Sequence, residues 1–223
     1  MKKLIIVGDS SFAEVAYEYF TYDSDYEVSA FAVEKEFLTK DTLLGIPVIS
    51  IDEMSVRYPT EDYDVFVAVV YTQLNRLRHR LMDQVKSLGY KLASYISSSS
   101  FVWRNVVLGE NCFIFEDNTL QPFVKIGNGT ILWSGNHIGH HSIVGDYCFI
   151  SSHVVISGHC EIGNYSFLGV NTTIANNVSI GRDNWLSPNV CVLKNTEDNA
   201  MYKSVVSEKA RIPTRKFFKV GEV

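Results

Sequence analysis

Three features that are scarce in this sequence each exclude a class of protein. Its four cysteines form no CxxC pair, so we expect a reducing compartment, with the thiols free and buried as small packing residues. No apolar stretch approaches the roughly 20 residues of a membrane span, and the run Leu4–Val7, ended by Asp9, is too short for an export signal. The net charge of −5 shows no overall excess of basic residues of the kind that binds nucleic acid. These shortages predict a cytoplasmic protein that neither inserts into membranes nor binds nucleic acid.

The first 97 residues alternate between strand and helix patterns. Short apolar runs predict strands at Leu4–Gly8, Glu27–Val33, Ile46–Ser50 and Tyr63–Val70. Helical patterns between them begin at Ser10 or Ser11, at Ile51 and at Leu74, the last of which ends at Gly89. This alternation predicts a Rossmann-like α/β domain with a parallel sheet over residues 1–97.

Ligands of such a sheet bind beyond the carboxyl ends of its strands. The candidate substrate-binding residues there are Gly8, Asp9, Ser10, Ser11, Phe12, Glu34, Tyr71 and Asn75. The GxGxxG fingerprint is absent, which argues against a dinucleotide such as NAD. A mononucleotide, or one phosphate at the helix N-terminus, remains open, as does a scaffold domain without a ligand.

A six-residue period replaces this pattern from about residue 96. Every sixth residue from Ile96 to Val192 is Ile, Leu or Val, and the fourth residue after each is usually small or β-branched. The motifs LGENC, IGNGT, VGDYC, IGNYS and IGRDN recur every 18 residues from Leu108, with glycine second in each. Hexads grouped in threes are typical of a parallel β-helix with triangular coils. We predict this all-β domain over residues 98–197, followed by a tail over 198–223.

Two segments together resemble a known family. The opening IIVGDSS and the later SGNHIGHHSIVGDYCFIS are similar to the nucleotide-sugar acetyltransferases, which include sialic-acid O-acetyltransferase-like proteins and N-acetyltransferases of UDP-, GDP- or dTDP-linked 4-amino-6-deoxy sugars. The resemblance implies a left-handed β-helix, acetyl-CoA as co-substrate, no metal, and a homotrimer whose nucleotide-sugar sites lie between subunits. It also implies a role in surface-glycan (O-antigen, lipopolysaccharide or capsule) biosynthesis.

The same resemblance assigns roles to individual residues. His140 matches the catalytic base, and His141 stands where the family often has Asp or Glu. The coenzyme groove would pass Phe149, Gly158, Gly169 and Val170. Lys194 belongs to a loose basic group near the C-terminus, which either is solvated or meets the coenzyme phosphates.

Residues 18 apart in a β-helix stack on neighbouring coils, roughly 4.8 Å apart. His140 is therefore expected to face outward beside Gly158, whose backbone N–H could meet the acyl oxygen while His140 takes a proton from the attacking amine. His141 should stack under His159, and a stacked pair could contribute to a zinc site like that of the trimeric β-helix carbonic anhydrases.

The leading hypothesis is N-acetylation of a nucleotide-linked amino-deoxy sugar by direct attack on acetyl-CoA, with His140 as base and no covalent intermediate. Sugar O-acetylation, a non-catalytic trimeric binding protein and a zinc hydratase are the alternatives.

Overall fold

The N-terminal part of the protein is a six-stranded sheet flanked by helices. The computed structural model describes residues 2–221. The elements are β1 (Lys2–Val7), α1 (Ser11–Tyr22), β2 (Tyr26–Val33), β3 (Thr42–Leu43), β4 (Ile46–Ser50), α2 (Met54–Arg57), β5 (Tyr63–Val67), α3 (Arg76–Ser87) and β6 (Lys91–Leu92). The strand order is β3-β4-β2-β1-β5-β6, with every pair parallel except β3 and β4. The predicted Rossmann-like arrangement is confirmed.

The central strand β1 shows why an apolar run predicts this sheet. Leu4 to Val7 are all buried, because helices cover both faces of the parallel sheet. The chain then turns at Gly8, whose φ is +122°; a Cβ atom there would lie 2.9 Å from the Ala68 carbonyl oxygen. Glycine is therefore required at the point where the chain leaves the sheet.

Helix α3 begins two residues later than the sequence predicted. Gln73, Leu74 and Asn75 have φ values of 52°, 49° and 68°, in the left-handed region, so helical geometry starts only at Arg76. Similarly, β5 ends at Val67 and not at Val70.

From Tyr95 the chain forms a left-handed β-helix of two-residue strands stacked into three parallel sheets. Face 1 contains Tyr95–Ile96, Phe113–Ile114, Ile131–Leu132, Phe149–Ile150, Phe167–Leu168, Trp185–Leu186 and Met201–Tyr202. Face 2 contains Phe101–Val102, Thr119–Leu120, His137–Ile138, Val155–Ile156, Thr173–Ile174 and Cys191–Val192. Face 3 contains Val107–Leu108, Lys125–Ile126, Ile143–Val144, Glu161–Ile162 and Ser179–Ile180. A four-residue helix, Thr214–Phe217, lies near the C-terminus.

The aliphatic second residue of each strand fills the inside of the prism, as the hexads predicted. From Ile114 to Val192 these side chains form one buried cluster with Cys112, Cys148 and Cys160. The β-helix extends beyond the predicted residues 98–197 at both ends, from Tyr95 to Tyr202. Ile96, in the first coil, is 41% exposed because face 1 has no strand beyond it. The last strand of face 1, Met201–Tyr202, lies in the segment predicted as tail.

The corners of the prism repeat with the same period. Positive φ recurs every six residues from Asn111 to Asn189, three positions after each inward aliphatic residue. The glycines that follow face 3 are required for a different reason, the closeness of the next coil. A Cβ on Gly127, for example, would lie 2.5 Å from the Gly145 carbonyl carbon.

The α/β domain packs on face 1 and on the corner between faces 3 and 1. Phe12 and Phe20 of α1 join Phe66 of β5 and Phe113 and Phe149 of face 1 in one buried aromatic cluster. The two parts of the chain therefore share a core, which fixes the strand ends of the sheet relative to the β-helix. Within residues 2–221, no helix has both the length and the apolar character needed to cross a membrane.

Candidate functional site

His140 and His141 lie at the corner between faces 2 and 3, which is the corner opposite face 1. Their Nδ1 atoms are 3.1 Å apart and the two rings are nearly perpendicular, at 88°. Both side chains are exposed in the single chain. The backbone N–H of His140 donates to Gln121 Oε1 at 2.9 Å, which anchors the residue to the preceding coil.

Gly158 makes room for the His140 ring, as the 18-residue stacking predicted. A Cβ on Gly158 would lie 2.9 Å from both Cε1 and Nε2 of His140, so this edge of the imidazole rests over the glycine. The Nδ1 edge faces His141 instead. The two ring nitrogens of His140 therefore have different surroundings.

The backbone N–H of Gly158 is not free for an acyl oxygen, contrary to the expectation from sequence. It donates to Asn176 Oδ1 at 2.9 Å. The same contact recurs at another corner, where Asn128 N–H donates to Asp146 Oδ1 and Asp146 N–H to Asn164 Oδ1. The contact at Gly158 is thus one of several in which a side-chain oxygen of the next coil accepts a hydrogen bond from a backbone N–H group at a corner.

His141 lies between two flat side chains. Its ring stacks on Phe123 at 4.5 Å and on His159 at 4.8 Å, with interplanar angles of 28° and 13°. The ligand atoms of His140, His141 and His159 fall within 4.8 Å of one another. Imidazole lone pairs lie in the ring plane, however, and the nearly parallel planes of His141 and His159 cannot converge on one ion. This geometry does not fit a zinc site made by the three histidines.

No carboxylate of the described residues pairs with a ring nitrogen of His140. Within residues 2–221, the one histidine with a carboxylate oxygen within 4.0 Å of a ring nitrogen is His79, paired with Asp83. That pair lies on α3, which packs at a different corner. The rings of His141 and His159 lie beside that of His140, with centroids 5.3 and 5.0 Å away.

A strand-end pocket of about 250 Å³ opens at the carboxyl ends of β1, β2 and β5. Gly8, Asp9, Ser10 and Glu34, four of the predicted substrate-binding residues, line it. The remainder of the wall is mostly apolar, from Val7, Ala32, Val33, Phe37, Ile51, Ala68, Leu77 and Leu81. A largely apolar pocket of this size suits a nucleobase.

Two basic residues that the sequence did not single out pair with the acidic groups of this pocket. Arg80 donates to both carboxylate oxygens of Glu34, at 2.8 and 2.9 Å, and this hydrogen bonding lowers the pKa of Glu34. Lys40 lies 3.0 Å from the Asp9 carboxylate. Lys40 and Arg80 are distant from these partners in sequence, so no local motif indicated them.

An interdomain cleft of about 610 Å³ continues from the strand-end pocket and shares Ser10, Val70 and Thr72 with it. Ser11, Phe12 and Tyr71 from the α/β domain line the cleft, facing Ser151, Ser152 and Val170 from the corner between faces 1 and 2. Ser10 is the N-cap of α1, but its side chain accepts no capping hydrogen bond. The first N–H groups of α1 therefore lie beside this groove without a side-chain cap.

The residues predicted for the coenzyme fall at two different corners. Phe149 and Val170 line the interdomain cleft, and Gly169 is adjacent to them. Gly158 lies beside His140, and Lys194 follows the last strand of face 2 at that same corner. Within one chain the structure does not bring these groups together.

Asn75 is placed where a ligand cannot reach it. Its side chain is fully buried, donating to the Tyr165 carbonyl and accepting from Arg78. Arg78 is also fully buried and not solvated on a helix face. The predicted substrate contact of Asn75 does not fit this burial; its amide, with both partners in place, supports the fold.

Three of the four cysteines are buried, and burial raises the pKa of their thiols. Burial raises the pKa of both Cys112 and Cys148 to about 12, so both thiols stay neutral. Cys160 is also buried, whereas Cys191 is exposed, contrary to the expectation that all four are packing residues.

Comparisons with known proteins agree with this fold. Residues 105–176 match the model of the bacterial transferase hexapeptide (six repeats), in three overlapping segments. A histidine-to-asparagine variant of perosamine N-acetyltransferase from Caulobacter crescentus, solved with CoA and GDP-perosamine, has a TM-score of 0.80, with 23% identity over 90% of this chain and 93% of that one.

Two further solved structures share the architecture. The acetyltransferase domain of PglB from Neisseria gonorrhoeae, in complex with acetyl coenzyme A, has a TM-score of 0.80 and 20% identity, over 90% of this chain and 95% of that one. WeeI from Acinetobacter baumannii has a TM-score of 0.71 and 17% identity, over 90% and 96%. No curated protein sequence matches the chain. The resemblance to sugar-nucleotide acetyltransferases is thus confirmed at the level of the fold, a hexapeptide-repeat β-helix with an α/β domain.

Proposed function

We propose that this protein is an N-acetyltransferase that moves the acetyl group of acetyl-CoA to the amine of a nucleotide-linked amino-deoxy sugar. The observation that carries the proposal is the position of His140, exposed at a β-helix corner with its Nε2 edge over Gly158. Two proteins of the same fold, solved with GDP-perosamine and CoA and with acetyl coenzyme A, support the substrate classes.

In the proposed reaction the sugar amine attacks the thioester carbonyl carbon and forms a C–N bond. His140 Nε2 accepts the proton that the nitrogen loses, and the tetrahedral intermediate collapses by breaking its C–S bond. The imidazolium returns this proton to the departing thiolate, giving the N-acetyl sugar and free CoA thiol. Cys112 and Cys148 are buried and neutral, which favours direct attack over an acyl-enzyme.

The α/β domain would hold the nucleotide sugar. The strand-end pocket would take the base, and the diphosphate would lie at Ser10 and Ser11, where the N-terminus of α1 attracts negative charge. The sugar would then extend into the interdomain cleft. The acetylated product would serve surface-glycan biosynthesis, as in the family that the sequence resembles.

The geometry favours a site completed by a second copy of the chain. The cleft opens at the corner between faces 1 and 2, whereas His140 lies at the corner between faces 2 and 3. A cyclic trimer can bring the cleft of one copy to the His140 corner of its neighbour. In this arrangement Phe149, Gly169 and Val170 of one copy and Gly158 and Lys194 of the next would border one coenzyme groove.

The activity is tested by incubating the protein with acetyl-CoA and a panel of UDP-, GDP- and dTDP-linked amino sugars, following thiol release and the mass of the sugar product. One or more amino sugars is expected to be acetylated. His140→Ala and His140→Asn should each lower kcat by about 10²–10⁴, the contribution of a general base. Full turnover by both variants would contradict the role of His140, and transfer only to a sugar hydroxyl would favour O-acetylation.

The shared site is tested by making mixed oligomers of two inactive variants. His140→Ala removes the base, and Ser11→Trp fills the cleft without touching the histidine corner. When the two are co-expressed with different tags and purified through both, one site in each mixed trimer has both parts intact, so activity should recover to about one third of wild type. Mixed oligomers that stay inactive would place the whole site within one chain.

A further inference from the structure

The pair of histidines at the corner raises the question of what orients His140. An imidazole that accepts a proton at Nε2 must carry its own hydrogen on Nδ1. In His140 the Nδ1 atom faces His141 Nδ1 at 3.1 Å, a hydrogen-bonding distance, and among residues 2–221 no carboxylate oxygen lies within 4.0 Å of a nitrogen of either ring. One of these two nitrogens must therefore donate and the other accept.

We infer that His141 is a positioning residue that acts as a neutral acceptor, holding His140 in the tautomer with hydrogen on Nδ1 and a lone pair on Nε2. This inference rests on the proposed function for its consequence in catalysis, although the tautomer itself is a property of the free protein. In that tautomer the Nε2 lone pair lies on the edge of the ring that rests over Gly158.

The groups around His141 restrict the orientation of its ring. Phe123 and His159 stack on its two faces at 4.5 and 4.8 Å. The backbone N–H of His141 donates to the Pro122 carbonyl at 3.1 Å, and His159 N–H donates to the His140 carbonyl at 3.0 Å. Phe123 and His159 thus restrict the tilt of His141, and with it the direction of the Nδ1 lone pair that faces His140.

A neutral acceptor has a consequence that a carboxylate would not have. A proton on His140 Nε2 removes the base, and a proton on His141 Nδ1 removes the acceptor and places a cation against His140. Both rings must therefore be neutral for the pair to act as base and acceptor.

Two variants separate the acceptor from the ring stack. His141 has a φ of 59°, and the equivalent corner positions hold Phe123 at 68° and Asn177 at 61°, so both replacements fit the backbone. His141→Phe keeps a ring between Phe123 and His159 but has no acceptor. His141→Asn loses the ring but places Oδ1 where Nδ1 was.

His141→Phe is expected to lower kcat by about 10–100-fold with little change in KM, which is part of the contribution of a general base. His141→Asn should retain several-fold more activity than His141→Phe. Equal kcat values for the two variants would overturn the inference.

A measurement without substrate separates this inference from the proposed function. Two-bond ¹⁵N–¹H correlation spectra of the histidine-labelled protein at pH 8 report which ring nitrogen carries the hydrogen. His140 should appear as the Nδ1–H tautomer in the wild type and in His141→Asn, and should shift toward Nε2–H in His141→Phe. An Nε2–H tautomer in the wild type would refute the inference even if acetyl transfer is found. If no sugar reacts, the proposed function fails, and the spectrum still decides the inference about His141.

Discussion

At the scale of single residues, the six-residue register decides which of several similar side chains have chemical significance. His140, His141 and His159 all lie at one corner, yet only His140 places a ring nitrogen over a glycine. His141 and His159 occupy positions of positive φ and stack on each other. A difference of one position in the hexad thus separates a candidate base from the groups that orient it.

Gly158 gives a prediction at this scale. Gly158→Ala places a Cβ 2.9 Å from Nε2 and Cε1 of His140, closer than atoms of two residues normally approach. Because the φ of Gly158 is not positive, alanine fits the backbone, and the ring of His140 must move instead. We expect kcat to fall about 10-fold or more, within the range for a displaced general base.

The control for this variant is its thermal stability, because the substitution should disturb only the surroundings of His140. Thermal unfolding of Gly158→Ala should stay within a few degrees of the wild type, as expected for a change near the surface of about 1 kcal/mol. A fully active Gly158→Ala would mean that the His140 ring works in another position.

At the scale of secondary-structure elements, the buried side chain of Arg78 links helix α3 to the β-helix. The Arg78 guanidinium donates to the carbonyls of Val69, Val70, Gly129 and Cys148 and to Asn75 Oδ1. Burial lowers the pKa of Arg78 to about 10, which still leaves it charged at neutral pH. The positive φ values at residues 73–75 turn the chain between the Val69 and Val70 carbonyls and Arg78.

Arg78→Met is predicted to destabilise the protein by at least about 3 kcal/mol, since it leaves several buried acceptors without a donor. Urea unfolding followed by tryptophan fluorescence measures the difference. Arg57→Met is the matched control, because Arg57 has 48% of its side chain exposed and its contacts with Glu53 and the Tyr58 ring lie at the surface, so a change within about 0.5 kcal/mol is expected. Similar effects of the two substitutions would contradict a special role for Arg78.

At the scale of the whole molecule, the surfaces of faces 2 and 3 suggest contact with other copies. Phe101, Val107, Phe123, Ile143 and Val155 are between 39% and 58% exposed. All of them lie on faces 2 and 3 or at the corner between them, away from the α/β domain. Burial of such apolar side chains between copies would stabilise an oligomer.

The oligomer is predicted to be a trimer, and native mass spectrometry should give about three times the chain mass of 25.2 kDa. Val107→Lys and Val155→Lys together should shift the protein toward monomer, because each introduces a charge into an apolar contact. Acetyl transfer should be lost with the trimer, while circular dichroism stays unchanged. A wild-type monomer that is fully active would exclude the shared site.

The sequence by itself determined the β-helix, its register and the pairing of His140 with Gly158, because hexads encode contacts between residues at a fixed separation of 18. It also determined the parallel sheet, since the apolar runs of the strands and the patterns of the helices between them each lie within a short stretch of sequence. Only the tertiary structure showed that Gly158 N–H is occupied by Asn176, that Asn75 and Arg78 are buried between the two parts, and that the cleft and His140 lie at different corners. These facts depend on how the α/β domain packs on face 1, a contact between segments distant in sequence that no local pattern specifies.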